Sequence, residues 1–503
     1  MTVFNFQRIF SNPLGVIKQQ SIINTIITYI GILLGFISTI YLYPNFLEPD
    51  QYGLTRLLLS VSFVFTQFAH LGMNNTAIRF FPYFEDDNND HNGFLFLVLV
   101  VPSTGFILFL GVIFLFDDLL ISYYDTSTYF GDYYLLLIPI VFGLLYFEVI
   151  NSYVRARLHS VPGSVISEVI LRLVTILLLV FFWFNWLNFQ QFMIGFACSY
   201  ILQPLLLLLF LFKQGELFLK PNFAYLKTTL VKRMANYGLF AVLGGMTTLI
   251  VNNIDIIMLG SLSGLSETGV YAIAFYIGSV IIVPQRAVGK IAPSLIAKHL
   301  KEKNYNQVER IYKSSSINQM VPGFLIFIGV VANLHNLDQI LPETYTGASM
   351  VIILIGISKL INMAAGINGA IILNSKFYRF DLISMIILII FSISLNYWLI
   401  PSYGMTGAAI ATVSSLLLYN LIKGIYVWIK FRMQPFSSKI LILTCFSSVV
   451  LWASLNTGHL DNTYLDILLR SAAITLVYSV GVLSLNISEE VNGIWKDLKS
   501  KFL

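Results

Sequence analysis

The chain is poor in charge. Only 11% of its 503 residues are Asp, Glu, Lys or Arg while 57% are hydrophobic, against about 25% and roughly 45–50% in soluble domains, which excludes an ordinary soluble fold. Cysteine is nearly absent, and Cys198 and Cys445 both fall inside apolar segments, so a disulfide framework is excluded. The six histidines, His70, His91, His159, His299, His335 and His459, are scattered with neither ligand nor catalytic spacing. No Walker loop, metal motif or nucleophile elbow is present. The period-two alternation of a membrane β-barrel is missing as well. A cleavable signal is not visible either: residues 1–21 are polar and amphipathic, and the apolar run after them is too long and lacks a small-residue cleavage site. The first helix is expected to stay as an anchor.

What is present is apolar length. A hydrocarbon core about 30 Å thick needs about twenty apolar residues per helix, and about fourteen such segments can be drawn. They run near 21–43, 53–75, 93–116, 133–154, 164–186, 191–212, 236–260, 269–289, 317–335, 347–370, 382–400, 405–429, 438–456 and 465–487. Seven alternate loops, near 44–52, 117–132, 187–190, 261–268, 336–346, 401–404 and 457–464, contain none of the 30 Lys and Arg residues. Short basic loops stay in the cytoplasm. The fold class is therefore an all-α polytopic membrane protein of the bacterial inner membrane, with both termini cytoplasmic. The formal charge of +5 follows from that topology and gives no indication of nucleic acid.

The turn Glu48-Pro-Asp-Gln-Tyr-Gly53 and the turn Leu265-Ser-Glu-Thr-Gly269 each lead into a helix on the same side, about six helices apart. This weak repeat implies two parallel six-helix lobes, 1–212 and 213–437, with a helix pair and amphipathic tail at 438–503. Parallel repeats are common in transporters that rock two lobes about a central site. The basic stretch 290–316 reads as an interfacial amphipathic segment, and the tail from Val491 to Phe502 has the same spacing.

Three passages carry a family resemblance. Asn253-Ile-Asp-Ile-Ile-Met-Leu-Gly260 with Glu267-Thr-Gly-Val-Tyr-Ala272 resembles the helix seven to eight passage of the polysaccharide-exporter flippases. Asn396-Tyr-Trp-Leu-Ile-Pro-Ser-Tyr-Gly-Met-Thr-Gly-Ala-Ala-Ile-Ala-Thr412 is similar to their helix eleven to twelve turn. Gly72-Met-Asn-Asn-Thr-Ala77 with Phe80-Phe-Pro82 fits the end of helix two. The family lies in the multidrug/oligosaccharidyl-lipid/polysaccharide exporter superfamily. The resemblance implies a flippase that moves undecaprenyl-pyrophosphate-linked oligosaccharide, such as an O-antigen unit of lipopolysaccharide, to the periplasmic leaflet. A resemblance to lipid II flippases implies a lipid-tail groove along helices thirteen and fourteen.

Charges at bilayer depth face wet cavities or partners. Arg172 sits roughly 13 Å into helix five at 1.5 Å per residue, with Glu168 one turn earlier as its partner; a structural pair and a cavity arginine with its counter-ion are both open. Lys359 is near the midplane with no carboxylate within a turn, and points to an anionic ligand. Arg286 and Lys290 share one face of helix eight, for a ligand or for snorkelling to headgroups. Arg56 is the cation expected to line the cavity from the outer half of helix two, while Arg470 is assigned to structure. Guanidinium groups match phosphate oxygens with paired hydrogen bonds, which suits a pyrophosphate linkage. Asp255 and Glu148 are candidates for binding a coupling proton or Na⁺, or for capped structural acids. Pro139, Pro204, Pro284 and Pro322 are candidate bend points. No cofactor is expected, and a polysaccharide polymerase is a candidate partner. A lipid II-type flippase, a multidrug extruder and a membrane polymerase are the rival readings. Against the last, the longest outer loop, 117–132, holds Asp117, Asp118, Asp125 and Asp132 but no His, Lys or Arg.

Overall fold

The computed structural model describes residues 13–127 and 129–502. The described residues contain helices and no strand. Eleven helical stretches among them are long and apolar enough to cross a membrane, and the chain is a multi-pass membrane protein. By those criteria the run Arg379–Phe431 counts once, although it is broken inside, and the apolar helix Ser349–Ala364 falls short in length. The chain gathers into two compact units, Met1–Asn253 and Ile254–Leu503.

The first unit holds α1 (Pro13–Phe36), α2 (Pro49–Ala69), α3 (Met73–Phe84), α4 (Phe94–Leu115), α5 (Leu137–Ala156), α6 (Leu171–Trp183), α7 (Phe189–Gln214) and the first part of α8 (Thr228–Leu262). The motif at Glu48 is a helix start. Pro49 occupies the first turn, and Glu48 and Gln51 form a reciprocal capping box, with the Glu48 N–H donating to Gln51 Oε1 at 3.2 Å. The expected segment 53–75 is in fact two helices. The chain turns between α2 and α3 through Gly72, whose φ of +75° favours glycine and whose missing Cβ leaves room for the backbone of Gly238. The centre of this unit is α5, which packs against α2, α3, α4 and α7 and buries Leu137, Ile140, Val141, Leu145, Val149 and Ile150. Two π-helical turns interrupt regular helix, at Ile37–Leu42 and at Ile166–Ile170; such turns insert one residue and re-aim the side chains that follow.

The second unit continues through the rest of α8 to α9 (Leu265–Ser279), α10 (Val283–Lys301), α11 (Tyr305–Ala332), α12 (Ser349–Ala364), α13 (Arg379–Phe431), α14 (Ser438–Leu455), α15 (Thr463–Ser484) and α16 (Glu489–Phe502). Its centre is α12, which packs against α9, α11 and α13. Stretch 290–316, expected as an amphipathic segment at the membrane surface, is helical on both sides of a break. It is the end of α10, a short turn and the start of α11, and its apolar stripe packs on protein: Ile296, Val308 and Tyr312 are fully buried in one cluster. Pro204 and Pro322 lie inside helices as expected. Pro139 and Pro284 instead occupy first turns, each after a 3₁₀ turn, where proline costs no hydrogen bond.

The run α13 folds back on itself. Gly404 has φ 52° and ψ −134°, a conformation for which side-chain-bearing residues are strained. A Cβ on Gly404 would strike the carboxylate of Glu267, and one on Gly407 would strike the carbonyl of Leu399. Glu267 caps the second arm by accepting the Met405 N–H at 2.7 Å. The turn expected at Pro401-Ser-Tyr-Gly404 is therefore present, held by an acid from the other family passage.

Candidate functional site

In the second unit the two motif passages meet on one carboxylate. Asp255, from α8, is 3% exposed. Its Oδ2 accepts the Tyr271 hydroxyl at 2.6 Å and the Thr412 hydroxyl at 2.5 Å, and its Oδ1 accepts the Asn396 amide at 2.9 Å. Tyr271 comes from α9, while Asn396 and Thr412 stand on the two arms of α13. A straight helix would separate those two by about 24 Å; the turn at Gly404 brings them to the same group. The side-chain oxygen of Asn396 is buried here without a hydrogen-bond partner. A carboxylate, two hydroxyls and a free amide oxygen thus converge in the protein interior.

Lys359 projects from the central helix α12 and is 8% exposed. Its ammonium lies 4.9 Å from the centre of the Phe275 ring, and it has no carboxylate within 4 Å among the described residues. Asp255 and Arg286 are the charged groups whose fields reach it. Arg286 itself is exposed. Lys359, Asp255 and Arg286 therefore share one neighbourhood. The side chain of Lys290 lies outside the described residues.

The first unit has its own cation cluster. Arg56 donates from Nε to the Tyr52 hydroxyl at 2.8 Å, and its guanidinium lies 4.8 Å from the ring centre of Tyr52 and 5.4 Å from that of Tyr43. Those two rings are 4.8 Å apart. Arg56 has no carboxylate within 4 Å among the described residues, so aromatic faces and a phenol are its partners. Arg172 follows directly on the π-helical turn and pairs with Glu168 at 3.2 Å, the two side chains being 31% and 36% exposed. Arg56 and Arg172 both exert their fields on Tyr43 and Tyr200, and Thr175 bonds the Tyr43 hydroxyl. The pair that sequence spacing suggests forms, and beside it stands a tyrosine cage that the spacing does not show. Glu148 lies half-buried on α5, the central helix of the first unit.

Sequence spacing does not reveal the buried pair of Lys423 and Asp381. Lys423 and Asp381 lie 2.6 Å apart with side chains 4% and 8% exposed. Lys423 also donates to the Tyr419 hydroxyl at 2.8 Å. Lys423 was findable, since it is a cation well inside the apolar segment 405–429; Asp381 was not, because it stands at a helix start that reads as loop. Beside this pair runs a ladder of amides, Asn368 to Asn420 to Asn362 to Gln285, at 3.2–3.3 Å per step. Arg470, assigned to structure, is saturated by Asp466, Ser454, Thr457, Gly458 and His459.

A family profile described as "Polysaccharide biosynthesis protein" matches residues 17–284, more than half of the chain. Several solved structures share the fold. "Lipid II flippase MurJ, inward closed conformation" aligns with a TM-score of 0.69 at 14% identity, over 92% of this chain and 99% of that one. An inward-facing multidrug resistance MATE family transporter of the MOP superfamily aligns with a TM-score of 0.62 at 15% identity, over 82% and 98%. The MATE multidrug transporter DinF-BH gives 0.51 at 18% identity, over 84% and 96%. At these identities the likeness establishes the fold. No curated protein matches the chain by sequence.

Proposed function

Since this chain belongs to the polysaccharide biosynthesis protein family, we propose that it is a flippase for lipid-linked oligosaccharide. Its substrate is an undecaprenyl-pyrophosphate-linked repeat unit of O-antigen type. It carries this unit from the cytoplasmic to the periplasmic leaflet of the bacterial inner membrane by alternating access, both termini staying cytoplasmic. The name of the structural neighbour MurJ, a lipid II flippase, supports a polyprenyl-linked cargo. The product then becomes available to a polysaccharide polymerase.

One observation carries this reading. Each unit keeps a cation inside its apolar helices with no carboxylate in ion-pair contact among the described residues: Arg56 in its tyrosine cage and Lys359 over Phe275. A lysine at the centre of a membrane helix costs about 2.5–3.5 kcal/mol on insertion scales, and an arginine nearer a helix end, like Arg56, costs less but still disfavours the unpaired charge. That cost is offset when an anion arrives. A diphosphate supplies about two negative charges and planar oxygen pairs that guanidinium groups engage two at a time. The tyrosine rings around Arg56 and the Phe275 ring beside Lys359 suit a sugar that needs ring faces.

Asp255 is the group we assign to coupling. Its carboxylate, the hydroxyls of Tyr271 and Thr412 and the free oxygen of Asn396 form an oxygen set of the kind hard cations prefer; a proton on the carboxylate is the alternative. Lys359 lies within its field, so a change of charge at Asp255 alters the hold on an anion. Glu148, half-buried on α5, is the second acid assigned to this role.

The test is flipping in liposomes with fluorescent undecaprenyl-pyrophosphate oligosaccharide, wild type beside Arg56→Gln, Arg172→Gln and Lys359→Gln. Wild-type flipping that falls at least tenfold in Arg56→Gln and Lys359→Gln, with lipid II and a cationic dye left behind, supports the assignment. Flipping that survives both changes removes the cations from the mechanism. Transport of lipid II or dye in preference replaces the substrate.

A further inference from the structure

The first unit carries another cationic feature, which the site above does not use. Arg79 on α3 lies over the ring of Tyr237 on α8, with Cζ 4.3 Å from its centre, and Arg233 on α8 lies over the ring of Tyr83 on α3 at 5.6 Å. The exchange is reciprocal: each helix lends an arginine to a tyrosine of the other. Phe80, 3% exposed, stands between the two tyrosines, 5.7 Å from the ring of Tyr83 and 5.8 Å from that of Tyr237. The segment leading into α8 is pinned to the same place, since Tyr225 donates its hydroxyl to the Tyr83 carbonyl at 2.5 Å and packs on Phe84 at 5.3 Å.

Both arginines are exposed, and neither has a carboxylate within 4 Å among the described residues. The same unit neutralises an arginine fully elsewhere. Arg157 pairs with Glu216 at 2.5 Å and Asp87 at 3.4 Å. The missing counter-charge at Arg79 and Arg233 is thus a local property of this patch. A guanidinium laid on a ring keeps its N–H groups in plane with their edges outward, which is the presentation that engages phosphate oxygens in pairs. Arg79 lies five residues before the end of α3, and Arg233 five residues after the start of α8. Each is therefore about 8 Å from its helix end. Exposed Lys232 adds a third positive charge beside them.

We propose that Arg79 and Arg233 form a docking clamp for the diphosphate headgroup of a polyprenyl lipid lying in the leaflet, engaged before the intramembrane cations are reached. This rests on the flippase reading for its cargo, but its chemistry can be tested without transport. The clamp holds the linkage common to all such lipids and leaves the sugar free, so it selects for diphosphate and not for glycan.

The experiment uses the full chain in nanodiscs of phosphatidylcholine, with sugar-free undecaprenyl diphosphate as the probe and phosphatidylglycerol and inorganic pyrophosphate as competitors. Arg79→Gln with Arg233→Gln is compared with the charge-keeping pair Arg79→Lys with Arg233→Lys, with Lys301→Gln as a remote control. The expected result is saturable binding weakened about tenfold or more in the glutamine pair, an intermediate loss in the lysine pair and no change in the control. Unchanged binding in the glutamine pair overturns the clamp. Competition by phosphatidylglycerol at equal concentration overturns it in favour of ordinary headgroup contact, and equal competition by pyrophosphate overturns it in favour of a free-anion site. If the glutamine pair does not fold, the lysine pair decides, because loss of paired hydrogen bonding at constant charge is itself the prediction. In flipping assays the clamp variants raise the substrate density needed for half-maximal rate and leave the maximal rate unchanged. Binding through these arginines in a protein that flips nothing keeps the clamp and removes the transport reading.

Discussion

Replacing Asp381 by Leu strands Lys423 in the interior of the second unit. The pair is 2.6 Å apart with side chains 8% and 4% exposed. Lys423 has little slack, since a Cβ placed on Gly369 would come within 2.8 Å of its Nζ, and the Tyr419 hydroxyl at 2.8 Å fixes it further. The ammonium therefore cannot swing out to water when its partner goes. Removing one member of a buried pair leaves an uncompensated charge and costs about 3–5 kcal/mol; the tight site places Asp381→Leu near 4 kcal/mol on that scale, to order of magnitude (~4). Lys423→Met alone leaves the carboxylate and is expected to cost about 3 kcal/mol. The double change removes both charges and is expected within about 1 kcal/mol of wild type, giving a coupling energy of several kcal/mol, larger than neighbouring residues usually show. Reversible unfolding in mixed detergent micelles measures all four proteins. A loss below about 1 kcal/mol in Asp381→Leu, or a double variant that loses the sum of the singles, refutes the reasoning.

Four further outcomes are expected. Lys359→Met is expected to raise stability by about 1 kcal/mol or more, because it removes a buried cation that lacks an ion pair, while flipping falls; a less stable variant in a thermal melt contradicts the account of Lys359. Asp255→Asn is expected to fold as wild type, since Asn396 can turn its free oxygen toward the new amide, and to lose dependence on a proton or Na⁺ gradient; transport that still responds to the gradient removes Asp255 from coupling. Gly404→Ala is expected to cost about 1–3 kcal/mol, from backbone strain added to its collision with Glu267, seen as a lower unfolding midpoint. Arg172→Gln is expected to change stability by less than about 1 kcal/mol, because glutamine keeps a hydrogen-bonding partner for Glu168, and a thermal melt beside the flipping assay separates loss of function from unfolding.

The membrane-spanning character was legible because bilayer thickness acts on each segment separately, and about twenty apolar residues announce themselves without reference to neighbours. The turn at Gly404 was legible for a similar reason, being written in Pro401-Ser-Tyr-Gly404. The meeting of Asp255 with Asn396 and Thr412 was half legible. Both passages stood out by family resemblance, but no local rule joins residues 141 and 157 positions apart. Glu168 with Arg172 was visible because its four-residue spacing is a helical contact; Asp381 with Lys423 was hidden because its partners lie on different arms of α13. Stretch 290–316 was legible as amphipathic, but what its apolar stripe meets was not. An apolar stripe with basic residues opposite looks the same whether the stripe meets lipid or protein, and only Ile296, Val308 and Tyr312 packed together decide between them.

The position of Asp255 between the arms of α13 has a mechanical meaning. Asn396 stands eight residues before Gly404 and Thr412 eight residues after it, so the carboxylate grips both arms about 12 Å from the pivot. The second arm runs on to Phe431, 27 residues from Gly404, or about 40 Å. A clasp so near the fulcrum works as the short end of a lever. Spreading the arms by about one ångström at the carboxylate displaces the far end by about three, so under the coupling role proposed for Asp255 the gain or loss of a single charge there would become movement on the scale of a side chain at the far end of the arm.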